Sequence, residues 1–499
     1  MKKFRNALLV LSFCSLVSCG GSPAISEKDN SSDSETTSEV SSVINNENTS
    51  SQEVVDDGVK QVLYVSPTAK ILEGDGSKEN PMRLVDAIEA SKKGATILLM
   101  DGTYTFYDVI SINSNTEKYK PTKESEMKTL KAINALKVKF DFSHMAFSSS
   151  NRGLTLNSDY WHVYGIEVYG AGDNGIYIGG NHNIVENCVL HDCRDTGLQL
   201  GRASSSNESI ETWPSYNLIK NCTSYDNHDP SGEDSDGFAC KLTTGVGNVF
   251  DGCIAYNNVD DGWDLYTKGD SGAIGPVTLR NCVAFNNGIT TGQNTDGVPY
   301  GTANSDGNGF KLGGEVISVQ HQVYNCVAFN NLACGFTDNS NPGTIRMENC
   351  TSYNNGARDN DASNFDMCRN EDTSNNYFKN LISYSNRNYD FYLDADKSFN
   401  SKDQYKGTAV DSIFYYGKTM LKFEGTEECN YRNDALRGTL IEEECPFVSV
   451  TAPSKFDNIH EVFRDKDYNV NLGDFLKVKD EFVKANFENT SLTLGAKLG

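Results

Sequence analysis

The chain has 499 residues and a formal net charge of -24, from 68 acidic against 44 basic side chains. No basic stripe runs along it, which argues against nucleic acid as a partner, because phosphate binding needs clustered Lys and Arg. The same charge argues against simple long-range attraction of any polyanion, so an anionic substrate must be held by local cations.

Met1-Lys2-Lys3-Phe4-Arg5 is a basic start, Leu8 to Val17 is a short apolar run, and Leu16-Val17-Ser18-Cys19 has the form of a bacterial lipobox. A run this short reads as an export signal rather than a membrane span. The resemblance to lipoprotein signals implies that Cys19 becomes a lipidated N-terminus. The alternative is a plain cleaved secretory peptide. Residues 1–19 are thus expected to be signal and lipobox, and residues 20–60, rich in Ser, Glu, Asp, Asn and Thr, a disordered tether. The expected product is an exported bacterial lipoprotein, a monomer touching the membrane only through its anchor, at the cell surface or in the periplasm.

Val62-Leu63-Tyr64-Val65-Ser66 then reads as a strand, and Met82 to Ser91 as an amphipathic helix entered after Pro81. Ala95 to Tyr104 is a strand running into a turn. A solenoid must cover its open end, and this helix is the natural N-terminal cap. From Gly165 a signature recurs: Gly165-Ile166-Glu167-Val168-Tyr169, Asn187-Cys188-Val189-Leu190-His191, Asn221-Cys222-Thr223-Ser224-Tyr225 and Gly252-Cys253-Ile254-Ala255-Tyr256. Further copies begin at Asn281, Asn325, Asn349 and Asn380. The closest copies stand one coil of a parallel β-helix apart, and the wider steps need only surface insertions. Cys188, Cys222, Cys253, Cys282, Cys326 and Cys350 read as a buried column of small apolar side chains, with disulfides between them the alternative. The Asn two residues past the aromatic (Asn227, Asn258, Asn287, Asn331, Asn355, Asn386) reads as a tight turn whose amides stack in a ladder. The fold class is therefore all-β, a parallel β-helix over residues 61–445 with an N-terminal capping helix and surface loop insertions. Residues 446–499 read as a C-terminal cap or appendage, and Cys429 with Cys445 as a candidate disulfide.

A second repeated segment carries the chemistry. Asp236-Gly237-Phe238-Ala239, Asp260-Asp261-Gly262-Trp263-Asp264 and Asn308-Gly309-Phe310-Lys311-Leu312 share one strand pattern of period two. Stacked as coils about 4.8 Å apart, they put Asp236 over Asp261 and Asp264 over Lys311. Converging carboxylates repel one another, and a hard cation with oxygen ligands, Ca2+ above all, resolves the conflict. Beside such a cation, and with burial adding to it, the charged form of Lys311 is disfavoured, which suits it to act as a base. Lys241 and Arg194 border the patch as candidate substrate-binding cations, and Trp263 is expected in the core. A glycoside hydrolase using the Asp cluster and a binding protein with a merely stabilising Ca2+ are the other readings of these residues.

With Gly102-Thr103-Tyr104 and the stretch from Arg152 to Gly175, these segments resemble the pectate lyases of polysaccharide lyase family nine. The resemblance spans roughly residues 62 to 400. It implies a right-handed parallel β-helix, Ca2+ held by Asp236, Asp260, Asp261 and Asp264, and Lys311 as Brønsted base. The implied activity is Ca2+-dependent cleavage of pectate, an acidic plant cell-wall polysaccharide, by β-elimination. A rhamnogalacturonan I lyase with the same machinery and a non-catalytic surface pectin-binding lipoprotein are the alternatives.

Overall fold

The computed structural model describes residues 60–288, 305–356, 362–367, 375–384, 406–416, 419–430, 439–452 and 462–499. The signal, lipobox and tether, most of the insertion before Lys311, Asn386 and the side chain of Cys429 lie outside the described residues. The described chain is a stack of short parallel strands. Nine of them form one sheet, here the site sheet: Ile110–Asn113, Leu154–Asn157, Ile176–Ile178, Leu198–Leu200, Phe238–Cys240, Trp263–Asp264, Phe310–Lys311, Phe336–Thr337 and Phe365–Asp366. The recurring signature forms strands of a second, longer sheet in the expected register, with Val189 beside Glu167 and Ile254 beside Thr223. The helix spans Leu84–Ala90, burying Leu84, Ala87 and Ile88.

Alternation decides what lies inside. On the site sheet Leu154, Ile176, Leu198, Phe238, Trp263, Phe310, Phe336 and Phe365 share one register position, and all are buried. Trp263 stacks between Phe238 at 4.9 Å and Phe310 at 4.8 Å, at the core position its spacing predicts. The cysteine column is buried as free thiols, not disulfides. Each donates to a backbone carbonyl, as Cys222 Sγ does to Val185 O at 3.4 Å.

The Asn column is a ladder of buried amides, each Nδ2 donating to the next Oδ1: Asn227 to Asn258 at 2.8 Å, Asn258 to Asn287 at 2.9 Å, Asn287 to Asn331 at 2.9 Å and Asn331 to Asn355 at 2.8 Å. The left-handed residue of the turn is one position earlier, at Asp226, Asn257, Asn286, Asn330 and Asn354. The two roles expected of one Asn fall on neighbours, because the ladder amide must point inward while the residue before it turns the chain.

Parallel pairing continues to Lys406–Val410, and Lys406–Tyr416 then pairs antiparallel with Thr419–Asn430. The end of the stretch expected as β-helix is thus a hairpin. The C-terminal segment lies along the flank of the stack and also meets the hairpin, where Lys422 Nζ donates to Asn486 O and Glu488 N to Glu424 Oε1, each at 2.7 Å. Phe463 meets Phe285 and Phe329 edge-on at 5.4 and 5.9 Å, and Phe475 meets Phe329 at 5.0 Å. It covers an outer pile of rings, His191, Tyr225, Tyr256, Phe285 and Phe329, spaced 4.8 to 4.9 Å.

Candidate active site

The expected register holds: Ala239, Asp264 and Lys311 are adjacent in the site sheet, and Gly237 N donates to Asp261 O, setting Asp236 beside Asp261. The glycine ahead of each aromatic is required by the amide ladder. A Cβ at Gly237 would lie 2.8 Å from Asn258 Nδ2, and one at Gly262 would lie 2.9 Å from Asn287 Nδ2. The ladder, with Ala255 Cβ and Gly309 O at 2.7 and 2.6 Å, leaves no room for a side chain one residue past Asp236 and Asp261.

Asp236, Asp260 and Asp261 each bring an oxygen within 4.8 Å of the others. Asp236 Oδ2 accepts from Lys241 Nζ at 2.7 Å and Thr196 Oγ1 at 3.1 Å, while its Oδ1 accepts from Asp261 N at 3.2 Å. Asp261 Oδ1 accepts from Asn308 N at 2.6 Å and Asn308 Nδ2 at 2.9 Å. Asp260 Oδ1 accepts from Asp306 N at 2.7 Å. Asp264 stands apart from the trio, its Oδ2 accepting from Lys241 Nζ at 3.0 Å. Lys241 thus bridges Asp236 and Asp264, a tie that reading it as a substrate-binding residue on the rim missed.

Lys311 Nζ lies 2.9 Å from Asp306 Oδ2 and 3.2 Å from Asp261 Oδ2. The second contact is an ion pair without hydrogen-bond alignment, so Asp261 Oδ2, like Asp264 Oδ1, is a buried oxygen with no hydrogen-bond donor among the described residues. Orphaned carboxylate oxygens beside a buried acidic trio suit a hard cation. The residues present fit Ca2+ on this ground.

The electrostatics agree. Burial, then the charges of Asp264 and Asp261, push Asp236 well above the carboxylate range, against Lys241. Burial with Asp261 and Asp236 does the same to Asp260. Asp261 is pushed up to about 6 by burial, against the pull of Lys311. Burial would also raise Asp264, but Lys241 and Lys311 outweigh it and hold it below its ordinary range. For Lys311, burial works against the charge, yet Asp261, Asp264, Asp260 and Asp306 prevail and raise its pKa well above a lysine's usual value. Burial therefore does not deliver the lowering expected of it; among the protein's own groups Lys311 is held protonated.

Arg194 lies on the turn before Leu198–Leu200, near enough to His228 to disfavour that ring's protonation, while its neighbour Asp195 is raised to about 7 by burial and Asp173, against Lys241. Asp306, Thr196 and Asn308 went unread as site residues. The signal for Asp306 is its spacing of five from Lys311, the spacing of Asp236 from Lys241.

Fold and site define a parallel β-helix with a buried, lysine-bridged cluster of carboxylates on one sheet. The chain belongs to the family described as Pel9A-like, right handed beta helix region, whose model matches residues 63–376. It is 51% identical over 301 residues to pectate lyase L of Paenibacillus polymyxa (strain SC2), covering 59% of this chain and 63% of that protein. It is 34% identical over 330 residues to pectate lyase L of Dickeya chrysanthemi, covering 65% of this chain and 72% of that protein. The crystal structure of pectate lyase Pel9A matches with a TM-score of 0.60 at 28% identity, covering 84% of this chain and 89% of that one. The chain thus spans less than two thirds of the Paenibacillus relative's own length.

Proposed function

We propose that the chain is a Ca2+-dependent lyase that cleaves pectate by β-elimination, with Lys311 as the base. The observation that carries this is the placement of Lys311 in register with Asp264 and 3.2 Å from Asp261, a lysine amine against the acidic trio on an outer sheet. The names of the similar proteins, pectate lyases, point the same way.

Bound Ca2+ supplies charge neutralisation for the substrate carboxylate and for the negative charge that develops on it as the proton leaves C5. Asp236, Asp260 and Asp261 would hold the ion, with Asp264 as the fourth carboxylate. Thr196, Asn308 and backbone N–H groups already orient these carboxylates, so little reorganisation is needed. Lys311 owes its raised pKa to the same aspartates. With their charge engaged by a cation, its ammonium loses that support and its neutral amine becomes accessible. The amine then takes the C5 proton, the C–H electron pair becomes the C4–C5 double bond, and the bond from C4 to the glycosidic oxygen breaks with its pair on that oxygen, which takes a proton from solvent water. No water attacks, so no second carboxylic acid is required.

Incubation with polygalacturonate and Ca2+, followed by ultraviolet absorbance of the unsaturated uronide, is expected to give product that disappears with chelator and returns with Ca2+. Binding of the polymer with no unsaturated product would overturn the catalytic reading. Parallel rates on homogalacturonan and rhamnogalacturonan I assign the substrate, with the former expected to be faster. We also propose lipidation at Cys19; a Cys19→Ser variant that still takes up radiolabelled fatty acid would refute it.

A further inference from the structure

On the N-terminal side of the aspartate trio the site sheet continues through Leu198–Leu200, Ile176–Ile178 and Leu154–Asn157. The register that carries Lys311, Asp264 and Ala239 runs on through Gln199, Tyr177 and Thr155. A cleft of about 750 Å³ opens here, walled by residues of the 201–215 insertion and by Lys268, Asp270 and Ser271. Its charged lining is Arg152, Arg202, Lys241 and Lys268 against Glu208 and Asp270. Lys241 is taken up by Asp236 and Asp264, which leaves three cations against two carboxylates in a chain of net charge -24.

Arg152 is the best anchored of them. Its guanidinium lies 3.4 Å from the centre of the Tyr177 ring, and its Nε is 3.3 Å from Asp173 Oδ2, with 30% of the side chain still exposed. Tyr177 is fixed in turn, its hydroxyl donating to Arg202 O at 3.0 Å. A guanidinium held flat on an aromatic face and tied along one edge presents its other N–H groups in a set direction, which suits bidentate capture of a carboxylate. Tyr177 lies four coils from Lys311, about 19 Å at the strand spacing of a sheet, so only a chain of several sugars reaches both.

We propose that this cleft is a remote uronate subsite, in which Arg152, supported by Arg202 and Lys268, grips a carboxylate of the polyuronate chain several sugars from the reacting one. The proposal rests on the lyase reading of the site for its kinetic arm only. It accounts for how an acidic protein retains a polyanion beyond what one cation at the reacting sugar provides.

The test compares wild type, Arg152→Ala and the double variant Arg202→Ala/Lys268→Ala on a galacturonate octamer and trimer. Binding is measured by calorimetry with chelator present, and turnover with Ca2+. Arg152→Ala is expected to weaken octamer binding about tenfold and to raise KM on the octamer by a similar factor, with much less change in kcat. The trimer, too short to span the distance, is expected to be turned over with an unchanged KM. Equal octamer affinity and KM in wild type and Arg152→Ala would overturn the subsite. If wild type forms no unsaturated product, the lyase reading fails while the binding arm still decides the subsite. Should Arg152→Ala not fold, the double variant carries the same comparison, and unaltered octamer affinity in it overturns the proposal.

Discussion

At the scale of single residues the site is a balance between two lysines and a group of buried carboxylates. Lys241 is committed twice, to Asp236 and to Asp264, whereas Lys311 faces the trio from the other side. Lys311→Ala is therefore expected to lower turnover by roughly a hundred- to ten-thousand-fold with Ca2+ affinity largely kept, as loss of a general base does. Arginine at 311 should not rescue it, since a guanidinium does not lose its proton under working conditions. Near-normal turnover of a folded Lys311→Ala variant would move the base to Lys241. Asp261 makes a separate prediction about stability. Its carboxyl is raised from 3.8 to about 6, so over that window the folded state binds the proton more tightly than the unfolded chain does. The contribution of Asp261 to the stability of the chelated protein accordingly falls as pH rises from about 4 to about 6. Asp261→Asn removes the ionisation, and thermal melts in chelator at pH 7 are expected to show it more stable than wild type, by roughly 1–3 kcal/mol. The same variant should lose most of the rise in Tm that Ca2+ gives wild type. A stability difference between chelated wild type and Asp261→Asn that stays constant through this pH window would contradict the assignment.

At the scale of elements, what the sequence made legible was what repeats. The Cys column, the Asn column and the Gly-apolar strands could be aligned by eye, because each coil presents the same side chain to the same neighbours. Asp236 beside Asp261 and Asp264 beside Lys311 followed from that alignment alone. What stayed hidden depends on contacts between different columns. The ladder amide of Asn287 rests against Gly262, and Lys241 reaches to the neighbouring coil for Asp264; no periodicity encodes either contact. Nor does it show that Lys311 is raised rather than lowered, which depends on four carboxylates counted together. Gly262→Ala tests the contact between columns. Its new Cβ would meet Gly309 O at 2.6 Å and Asn287 Nδ2 at 2.9 Å, so backbone or ladder must shift. Overpacking of this kind costs roughly 1–3 kcal/mol. Because Gly262 lies between Asp261 and Asp264, apparent Ca2+ affinity read by titration should fall as well. A variant that loses stability while keeping full affinity would show that the ladder supports the coil without positioning the carboxylates.

At the scale of the whole molecule, the long flank of rings that stacking creates must be shielded from water, and the last residues of the chain provide that cover. The anchor is Arg464. Its Nη2 donates to Cys222 O at 2.8 Å and its Nη1 to Gly252 O at 2.9 Å, while Nε and Nη2 both reach Thr223 Oγ1. These acceptors lie on the coils that carry Asp236 and Asp261 on another side. Burial lowers the pKa of this guanidinium, and backbone carbonyls supply most of its compensation. Removing it takes the guanidinium from Gly252 O and from Cys222 O, the latter keeping only its bond from Ile254 N at 2.9 Å, and frees Phe463 from its edge-on contacts with Phe285 and Phe329. Since charged hydrogen bonds contribute about 1.5–3 kcal/mol each before the cost of desolvation is subtracted, Arg464→Ala is expected to lose roughly 2–4 kcal/mol in urea unfolding. Lysine at 464 should recover little of it, because one ammonium cannot reproduce the planar fork that spans these acceptors. Limited proteolysis distinguishes a loosened tail from general destabilisation. In Arg464→Ala the segment from 462 to 499 should be cut first, leaving a resistant β-helix core. If the tail of that variant is no more susceptible than that of wild type, its packing is held by the phenylalanines together with the bonds of Thr493, Gly495 and Lys497 to Asn349, Asn380 and Asn325, and Phe475→Ala becomes the next substitution to test.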